Sequence, residues 1–300
     1  MYQSIMKRIK LLALGLGCVS LSLTSCSSHE NDSLPQDATF SVLAHIQGHT
    51  RAPQLDAAGA GQFQAGDQNT LFFQNPQGTC QKTFNYTYGQ TYYWPDLGVN
   101  QPAQEVKVSA CYPPVQTDTP QSYSWDVTAT QILTPDFLAA QPASLQLQNE
   151  KCQVSLNFRH LMHQFAVKLT ADGTTTQPSE LTQATLTLSQ WKPVATLNLL
   201  TAAVTGATGT PAQKQLTGDA GSFILPPQAV GNIQLQVQVN QRSQTFLLKD
   251  LKIDNQPVSQ LESGKKLSLT IQVSKGSFTI TGQSIQGWES QGEANGEIIL

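Results

Sequence analysis

The fold is decided by the stretch Val154-Ser155-Leu156-Asn157-Phe158-Arg159-His160-Leu161-Met162-His163-Gln164-Phe165-Ala166-Val167-Lys168-Leu169. Apolar residues alternate with polar ones from Val154 to Phe158, and the same alternation returns from Phe165 to Leu169. A period of two puts one set of side chains on a core and the other in solvent, so the stretch predicts two strands. The residues from Arg159 to His163 break the alternation and predict a bulge or short turn between them.

The two-residue period recurs on both sides of this stretch, as in Phe40, Val42, Ala44 and Ile46 near the start and Ile233, Leu235, Val237 and Val239 later. Turn residues such as Pro226-Pro227 interrupt the alternation at short intervals. Many short strands with frequent turns predict an all-β protein built from antiparallel sandwiches. Gln141 to Glu150 separates two strand-rich halves. We therefore predict two tandem domains, over residues 39–150 and 151–300.

The N-terminal residues have the features of an export signal. Three basic residues, Lys7, Arg8 and Lys10, precede an uncharged apolar run from Leu11 to Leu23 that is too short to span a membrane. Leu23-Thr24-Ser25-Cys26 follows and resembles a lipobox, in which Cys26 accepts the lipid. We predict a signal peptide over residues 1–25, a polar flexible tether over 26–38 and an outer-membrane lipoprotein on the cell surface. The alternative is an ordinary secretory signal that contains a cysteine.

Composition narrows the classes of partner. The formal net charge is −3 at pH 7, and only 12% of the residues are charged. An acidic chain lacks the basic surface that nucleic acid requires, so no nucleic-acid partner is expected. The polar but weakly charged composition fits an extracellular β protein.

Three cysteines follow Cys26, namely Cys80, Cys111 and Cys152. An oxidising compartment permits a disulfide, and Cys80 with Cys111 is the candidate pair because both fall in the first predicted domain. Cys152 would then be a free buried thiol. Three inert buried thiols are an equal alternative.

The sequence predicts a protein that is not an enzyme and binds no cofactor or metal. His160-Leu161-Met162-His163 is an HxxH motif, but imidazoles three residues apart on an extended strand face opposite sides. We therefore expect one packed and one exposed histidine. Aromatic residues cluster from Phe84 to Trp94 and predict sandwich core. If Tyr92, Tyr93 and Trp94 were exposed, they could instead stack on sugar rings.

Several motifs together resemble the fimbrillin family of Bacteroidetes, which comprises fimbrium subunits and their relatives. The stretch over 154–169 is similar to the family's central signature. Four shorter matches lie around it in family order: Thr50-Arg51-Ala52, Ile224-Leu225-Pro226-Pro227-Gln228, Gly264-Lys265-Lys266-Leu267-Ser268-Leu269-Thr270-Ile271 and Ile285-Gln286-Gly287-Trp288. The resemblance covers about residues 26–300.

The resemblance implies two tandem transthyretin-like sandwiches and assembly by strand exchange. In polymerising members an arginine-specific protease cuts after the first strand, and a C-terminal strand of a neighbouring subunit fills the groove that this opens. Carried onto this chain, the removable strand is residues 40–46 and the cut falls between Arg51 and Ala52. The donor end is Ile298, Ile299 and Leu300, although the preceding stretch, Glu289 to Gly296, is nearly devoid of apolar residues.

The sequence is therefore consistent with two functions. The first is a structural or accessory subunit of a surface fimbrium that supports adhesion. Its partners would be other fimbrial subunits, the outer-membrane lipid through Cys26 and a host or bacterial surface receptor. The second is a surface-tethered lipoprotein that binds glycan or protein and does not polymerise.

Overall fold

The computed structural model describes residues 38–46, 63–100, 102–132, 134–148 and 151–287. Apart from short 3₁₀ turns, the described elements up to His160 are strands. They are β1 (Thr39–Ile46), β2 (Gln68–Gln74), β3 (Cys80–Thr87), β4 (Tyr92–Tyr93), β5 (Lys107–Tyr112), β6 (Tyr123–Asp126), β7 (Leu138–Ser144), β8 (Gln146–Gln148) and β9 (Lys151–His160). The 3₁₀ turns are Trp94–Leu97, Ala103–Glu105, Pro120–Ser122 and Leu248–Asp250.

The remaining elements are strands and one short helix, α1 (Pro178–Leu181). The strands are β10 (His163–Ala171), β11 (Thr185–Trp191), β12 (Val194–Asn198), β13 (Ala203–Thr208), β14 (Ala212–Thr217), β15 (Ala220–Leu225), β16 (Gln228–Ala229), β17 (Gln234–Val239), β18 (Arg242–Leu247), β19 (Lys252–Ile253), β20 (Gln256–Pro257), β21 (Gln260–Leu261), β22 (Lys265–Val273) and β23 (Phe278–Gly287). The prediction of an all-β protein is confirmed.

The first sheet has the strand order β3-β2-β5-β7-β9-β1-β4, with β8 added on β9. It curls until its two ends meet. Tyr92 on β4 packs against Phe84 and Tyr86 on β3 with ring centroids 5.1 and 5.2 Å apart, and its hydroxyl accepts a hydrogen bond from the Thr87 backbone N–H at 3.1 Å. The curl encloses one apolar core, to which alternate residues of β1 and β9 contribute.

Most of the later strands surround a second core. Two four-stranded sheets, β15-β10-β22-β23 and β14-β11-β17-β18, share this buried cluster with the three-stranded sheet β13-β12-β6. The alternation over Phe165, Val167 and Leu169 turns these three side chains inward, and each is at most 2% exposed. The period of two in the sequence therefore produces the packing it predicts.

The pairing departs from the predicted antiparallel arrangement in two places. β1 runs parallel to β9, and β10 runs parallel to β22. Alternation of side chains is the same in parallel and antiparallel strands, so it carries no information on direction. The predicted boundary near residue 150 also differs from the sheet pairing, because β9, over 151–160, completes the first sheet. Along β9 and β10 the buried side chains pass from the first core to the second between Phe158 and Leu161, whereas earlier residues such as Trp125 and Phe137 already belong to the second core.

The outer face of the first sheet, which points away from the first core, contacts the part of the protein that surrounds the second core. Gln74 Nε2 donates to the Leu200 carbonyl at 3.1 Å and to Ser109 Oγ at 2.8 Å, and Ser109 Oγ donates to the Leu199 carbonyl at 3.0 Å. Phe72 and Cys111, on the same face, belong to the second core. Buried polar groups that are fully hydrogen-bonded fix one arrangement of the two parts.

The crossover from β9 to β10 is held by the turn over Glu262–Gly264. Ser263 Oγ donates to the Leu161 carbonyl at 2.9 Å, and the Gly264 N–H donates to the Met162 carbonyl at 3.0 Å. Gly264 has φ +68°, and a Cβ built on it would lie 2.9 Å from the His160 carbonyl oxygen. Glycine is required here both by the left-handed backbone and by the close approach.

Replacing Gly264 by alanine is therefore expected to destabilise the fold by at least about 1–2 kcal/mol, the cost of a left-handed conformation for a residue with Cβ. Chemical denaturation would measure the loss. Gly276→Ala is the matched control, because nothing lies within 4 Å of its added Cβ and its φ is outside the left-handed region. Equal stability of the two variants would contradict the described turn.

Candidate strand-exchange site

The first strand carries the apolar side chains that close the first core. Phe40, Val42 and Ile46 are 3, 7 and 8% exposed, whereas Leu43, on the other face, is 46% exposed. The ring of Phe40 lies 5.7 Å from that of Phe73 and 5.9 Å from that of Tyr86. Removing β1 would uncover a row of apolar pockets along the sheet.

The two edges of β1 are unequally paired. Along one edge all eight of its residues are in register with β9, from Thr39 with Lys151 to Ile46 with Phe158. Along the other edge only Thr39 and Phe40 pair, with Tyr93 and Tyr92 of β4. Within the described residues, the segment from Ser41 to Ile46 thus pairs with a neighbouring strand along one edge only, which is the geometry of a strand that another strand could replace.

Phe63 is the first described residue after β1, and it returns the chain to the same core. Its ring stacks on Tyr88 at 5.0 Å and meets Phe158 edge-on at 5.0 Å. Phe63 remains in place if the chain is cut between Ile46 and Phe63. The groove left by β1 would therefore keep an aromatic wall.

The other predicted assembly and export residues lie outside the described residues. These are Cys26, Arg51, Ala52, Ile298, Ile299 and Leu300. The described chain ends at Gly287 of β23, the end strand of the sheet β15-β10-β22-β23. Lipidation, cleavage and donation therefore stay predictions.

The aromatic cluster from Phe84 to Trp94 is core, as predicted, with one exception. Trp94 is buried against Phe73 at 6.2 Å, and Tyr92 packs against β3. Only Tyr93 among the three residues proposed to stack on sugars is largely exposed. The hypothesis of a platform formed by Tyr92, Tyr93 and Trp94 is wrong, because the curl of the sheet turns Tyr92 inward and the following 3₁₀ turn buries Trp94.

The candidate disulfide is not formed. Cys80, Cys111 and Cys152 are free thiols. Cys80 pairs with Gln74 and Cys111 with Thr70, on opposite sides of β2. Four residues along a strand are about 13 Å, which is beyond the Cα separation that a disulfide bridges. Burial raises the pKa of all three thiols, which keeps them protonated.

The histidines of the HxxH motif are both buried, which corrects the expectation of one exposed ring. They end and begin strands of two different sheets, so they do not lie on one extended strand. His160 Nδ1 donates to Asp136 Oδ2 at 2.6 Å, and His163 Nδ1 donates to the Glu262 carbonyl at 3.0 Å. The described residues contain no group of three side chains suited to a metal ion.

His163 should make stability depend on pH. Burial lowers its pKa from 6.5 to about 4, so the unfolded chain binds a proton that the folded chain does not. Stability is complete above pH 6.5 and falls as the pH drops toward 4, by about 3 kcal/mol in all. Denaturant midpoints measured between these limits would check this. In His163→Gln the slope should be smaller, and an unchanged slope would exclude His163 as its source.

Sequence reasoning missed two features of this region. One is that β9 is the strand that pairs with β1 along its whole length, in parallel. The other is Arg159, a half-buried guanidinium on the outer face of β9. Its position next to an alternating run places it on that face, but the contacts that partly bury it come from residues far along the chain.

Comparisons with known proteins agree with the fold. A solved structure from Bacteroides uniformis ATCC 8492, described as a candidate cell adhesion protein, superposes with a TM-score of 0.61 at 20% identity, over 75% of this chain and 93% of that chain. A second, from Bacteroides ovatus ATCC 8483 and described in the same words, gives 0.57 at 17% identity, over 84% of this chain and 98% of that chain. No curated protein sequence matches.

A sequence comparison identifies the family. The profile of the fimbrillin-like family matches residues 54–288, which is most of the chain and begins after β1. The match includes the stretch over 154–169 and the turn at Gly264 that holds it. Among the described residues no helix is long and apolar enough to span a membrane. The chain belongs to the fimbrillin-like family.

Proposed function

We propose that this protein is a structural or accessory subunit of a cell-surface fimbrium that supports adhesion and assembles by strand donation. The observation that carries the proposal is β1, which fills the first core with Phe40, Val42 and Ile46 but is fully paired on one edge only. Family membership and the adhesion-related names of the two similar structures support the same class of function.

In the assembly step, a strand of another subunit would take the place of β1 beside β9. Backbone groups of β9 would bond to an incoming strand as they bond to β1, and alternate side chains would refill the same pockets. Each apolar side chain of this size contributes about 1.5–3 kcal/mol when buried. The monomer therefore stays closed until β1 is removed, which protects an edge that would otherwise aggregate.

The donor is proposed to be the C-terminal end of another copy or of a related subunit. Ile298 and Leu300 would face one way and Ile299 the other, so a single register decides which side chains enter the groove. The short apolar end suits an accessory position, such as a tip or an anchor, as well as a stalk.

Export as a lipoprotein is proposed from the sequence of the first 26 residues. The signal peptide over residues 1–25 would be removed and Cys26 acylated, and residues 26–38 would tether the fold to the outer-membrane lipid. The surface partners would then be fimbrial subunits and a host or bacterial receptor.

One experiment tests export and assembly together. The wild type, Cys26→Ala and Arg51→Ala would be expressed in a fimbriated host and compared for fatty-acid labelling and for high-mass surface assemblies. Cys26→Ala should lose the label. Arg51→Ala should keep the label but remain an uncut monomer, because cleavage after Arg51 is what releases β1.

The two variants test separate steps of the proposal. A labelled Cys26→Ala protein would reject the lipid anchor and leave the assembly proposal intact. Normal assemblies of Arg51→Ala would reject the cleavage step. The alternative, a tethered glycan- or protein-binding lipoprotein, predicts that the wild type itself stays uncut and monomeric.

A further inference from the structure

A pocket opens on the outer face of the first sheet where β7 and β9 separate. β7 pairs with β9 only from Leu138–Ala140, and β8 resumes the pairing at Gln146. Pro142 lies in the gap and has no N–H to donate to a ladder. The resulting pocket of about 300 Å³ is lined by Gln141, Pro142, Ala143, Ser155, Asn157 and Arg159.

The lining of this pocket is mostly polar and includes one guanidinium group. Gln141, Ser155 and Asn157 contribute amides and a hydroxyl, and none of the lining side chains is a carboxylate. Arg159 is half-buried, and its Nη2 donates to the Ala202 carbonyl at 2.8 Å, which fixes the guanidinium in place. Within the described residues its buried Nε has no hydrogen-bond partner.

Arg159 also has no carboxylate within salt-bridge distance in the part of the chain that the structure describes. A partly desolvated cation without a counter-ion is unfavourable, and proteins usually pair such groups. An anionic ligand would supply the missing partner through a charge-assisted hydrogen bond, the strongest kind available to a guanidinium.

We propose that this pocket binds the carboxylate-bearing terminal sugar of a surface glycan. Arg159 would hold the carboxylate, and Gln141, Ser155 and Asn157 would bond to the ring hydroxyls. The volume lies at the lower end of the range of about 300–1,000 Å³ for ligand sites, which suits one sugar ring. Pro142 and Ala143 offer a small apolar contact for the C–H face of that ring.

A peptide carboxylate is the competing occupant, and the lining favours the sugar. A peptide terminus would need an apolar pocket for its last side chain, whereas the lining is mostly polar and holds no large apolar side chain. The site is on the opposite face of the sheet from the core that β1 closes, and no residue of β1 lines it, so the proposed strand exchange would leave its lining in place. The uncut monomer should bind as well as an assembled subunit.

The test is a titration of the purified full protein with N-acetylneuraminate and with glucuronate, followed by calorimetry or by ligand-observed NMR. The methyl ester of N-acetylneuraminic acid and glucose serve as the neutral counterparts. At least one acidic sugar should bind at least about 10-fold more tightly than its neutral counterpart, as expected for one charge-assisted hydrogen bond. The affinity should fall as the salt concentration rises.

Two variants locate the site. Arg159→Gln and Asn157→Ala should each weaken binding of the acidic sugar about 10-fold or more. Gln153→Ala, on the same face of β9 but outside the pocket, should bind like the wild type. Asn157 is exposed, and the hydrogen bond to the Ala202 carbonyl comes from Arg159, so the Asn157 variant remains informative if Arg159→Gln is poorly folded.

Three results would overturn the proposal. They are equal affinity for acidic and neutral sugars, undiminished binding by folded Asn157→Ala, and no binding of either acidic sugar by the wild type. In the last case a short peptide with a free C-terminal carboxylate would be titrated next. Binding of that peptide would assign the pocket to proteins instead.

Discussion

Replacing Phe158 by alanine should lower the free energy of unfolding by about 3–5 kcal/mol, the range for a large aromatic side chain removed from a core. Phe158 is fully buried on β9. It is in register with Ile46 of β1 and lies 5.0 Å from the ring of Phe63. The cavity would therefore adjoin both β1, the strand proposed to be exchanged, and Phe63.

Chemical denaturation of Phe158→Ala beside Asn157→Ala measures this effect. Asn157 is the next residue on the same strand, but its side chain is exposed on the opposite face. Its variant should stay within about 0.5 kcal/mol of the wild type, as for ordinary surface substitutions. If both variants lost the same amount, the register of β9 described above would be wrong.

Locking β1 to β9 should abolish assembly. Ser41 and Gln153 are partners in the register of the two strands, and Gln153 Nε2 donates to Ser41 Oγ at 3.2 Å on the exposed face. Adjacent strands lie about 4.8 Å apart, within the Cα separation that a disulfide bridges. The double variant Ser41→Cys with Gln153→Cys should therefore form a disulfide that keeps β1 in its groove even after the chain is cut.

The oxidised double variant should yield anchored monomers and no high-mass assemblies, and a reducing agent should restore assembly. Ser41→Cys alone is the control for an unwanted pairing with the half-buried Cys80. Full assembly of the oxidised protein, with the disulfide verified by mass spectrometry, would show that β1 does not need to leave.

The sequence was sufficient to predict the strands but not their partners. Phe40, Val42 and Ile46 are buried as their alternation indicates, and the same holds for Val154, Leu156 and Phe158. Yet β1 and β9 are parallel neighbours more than a hundred residues apart in sequence. A period of two reports which face of a strand is buried, and nothing in it specifies the neighbour or its direction.

The connection between the strands accounts for the wrong expectation about the histidines. If residues 160–163 continued one strand, His160 and His163 would face opposite sides. The chain instead passes from one sheet to another there, and Glu262–Gly264 holds the crossover from a distant part of the sequence. Both rings are buried because His160 ends a strand of one sheet and His163 begins a strand of another.

The pocket beside Arg159 could be predicted only in part. The alternation of β9 places Ser155, Asn157 and Arg159 on one face, and Pro142 suggests an interrupted ladder. The counterpart of Arg159, the Ala202 carbonyl, and the separation of β7 from β9 are set by long-range packing.

The central claim is that β1 is removed so that another strand can take its place. The most direct measurement is the N-terminal residue of the subunit recovered from high-mass assemblies on the cell surface. Our account predicts Ala52, the residue after Arg51, with residues 39–46 absent from the assembled subunit. Assemblies whose subunits still begin at acylated Cys26 and retain β1 would contradict it.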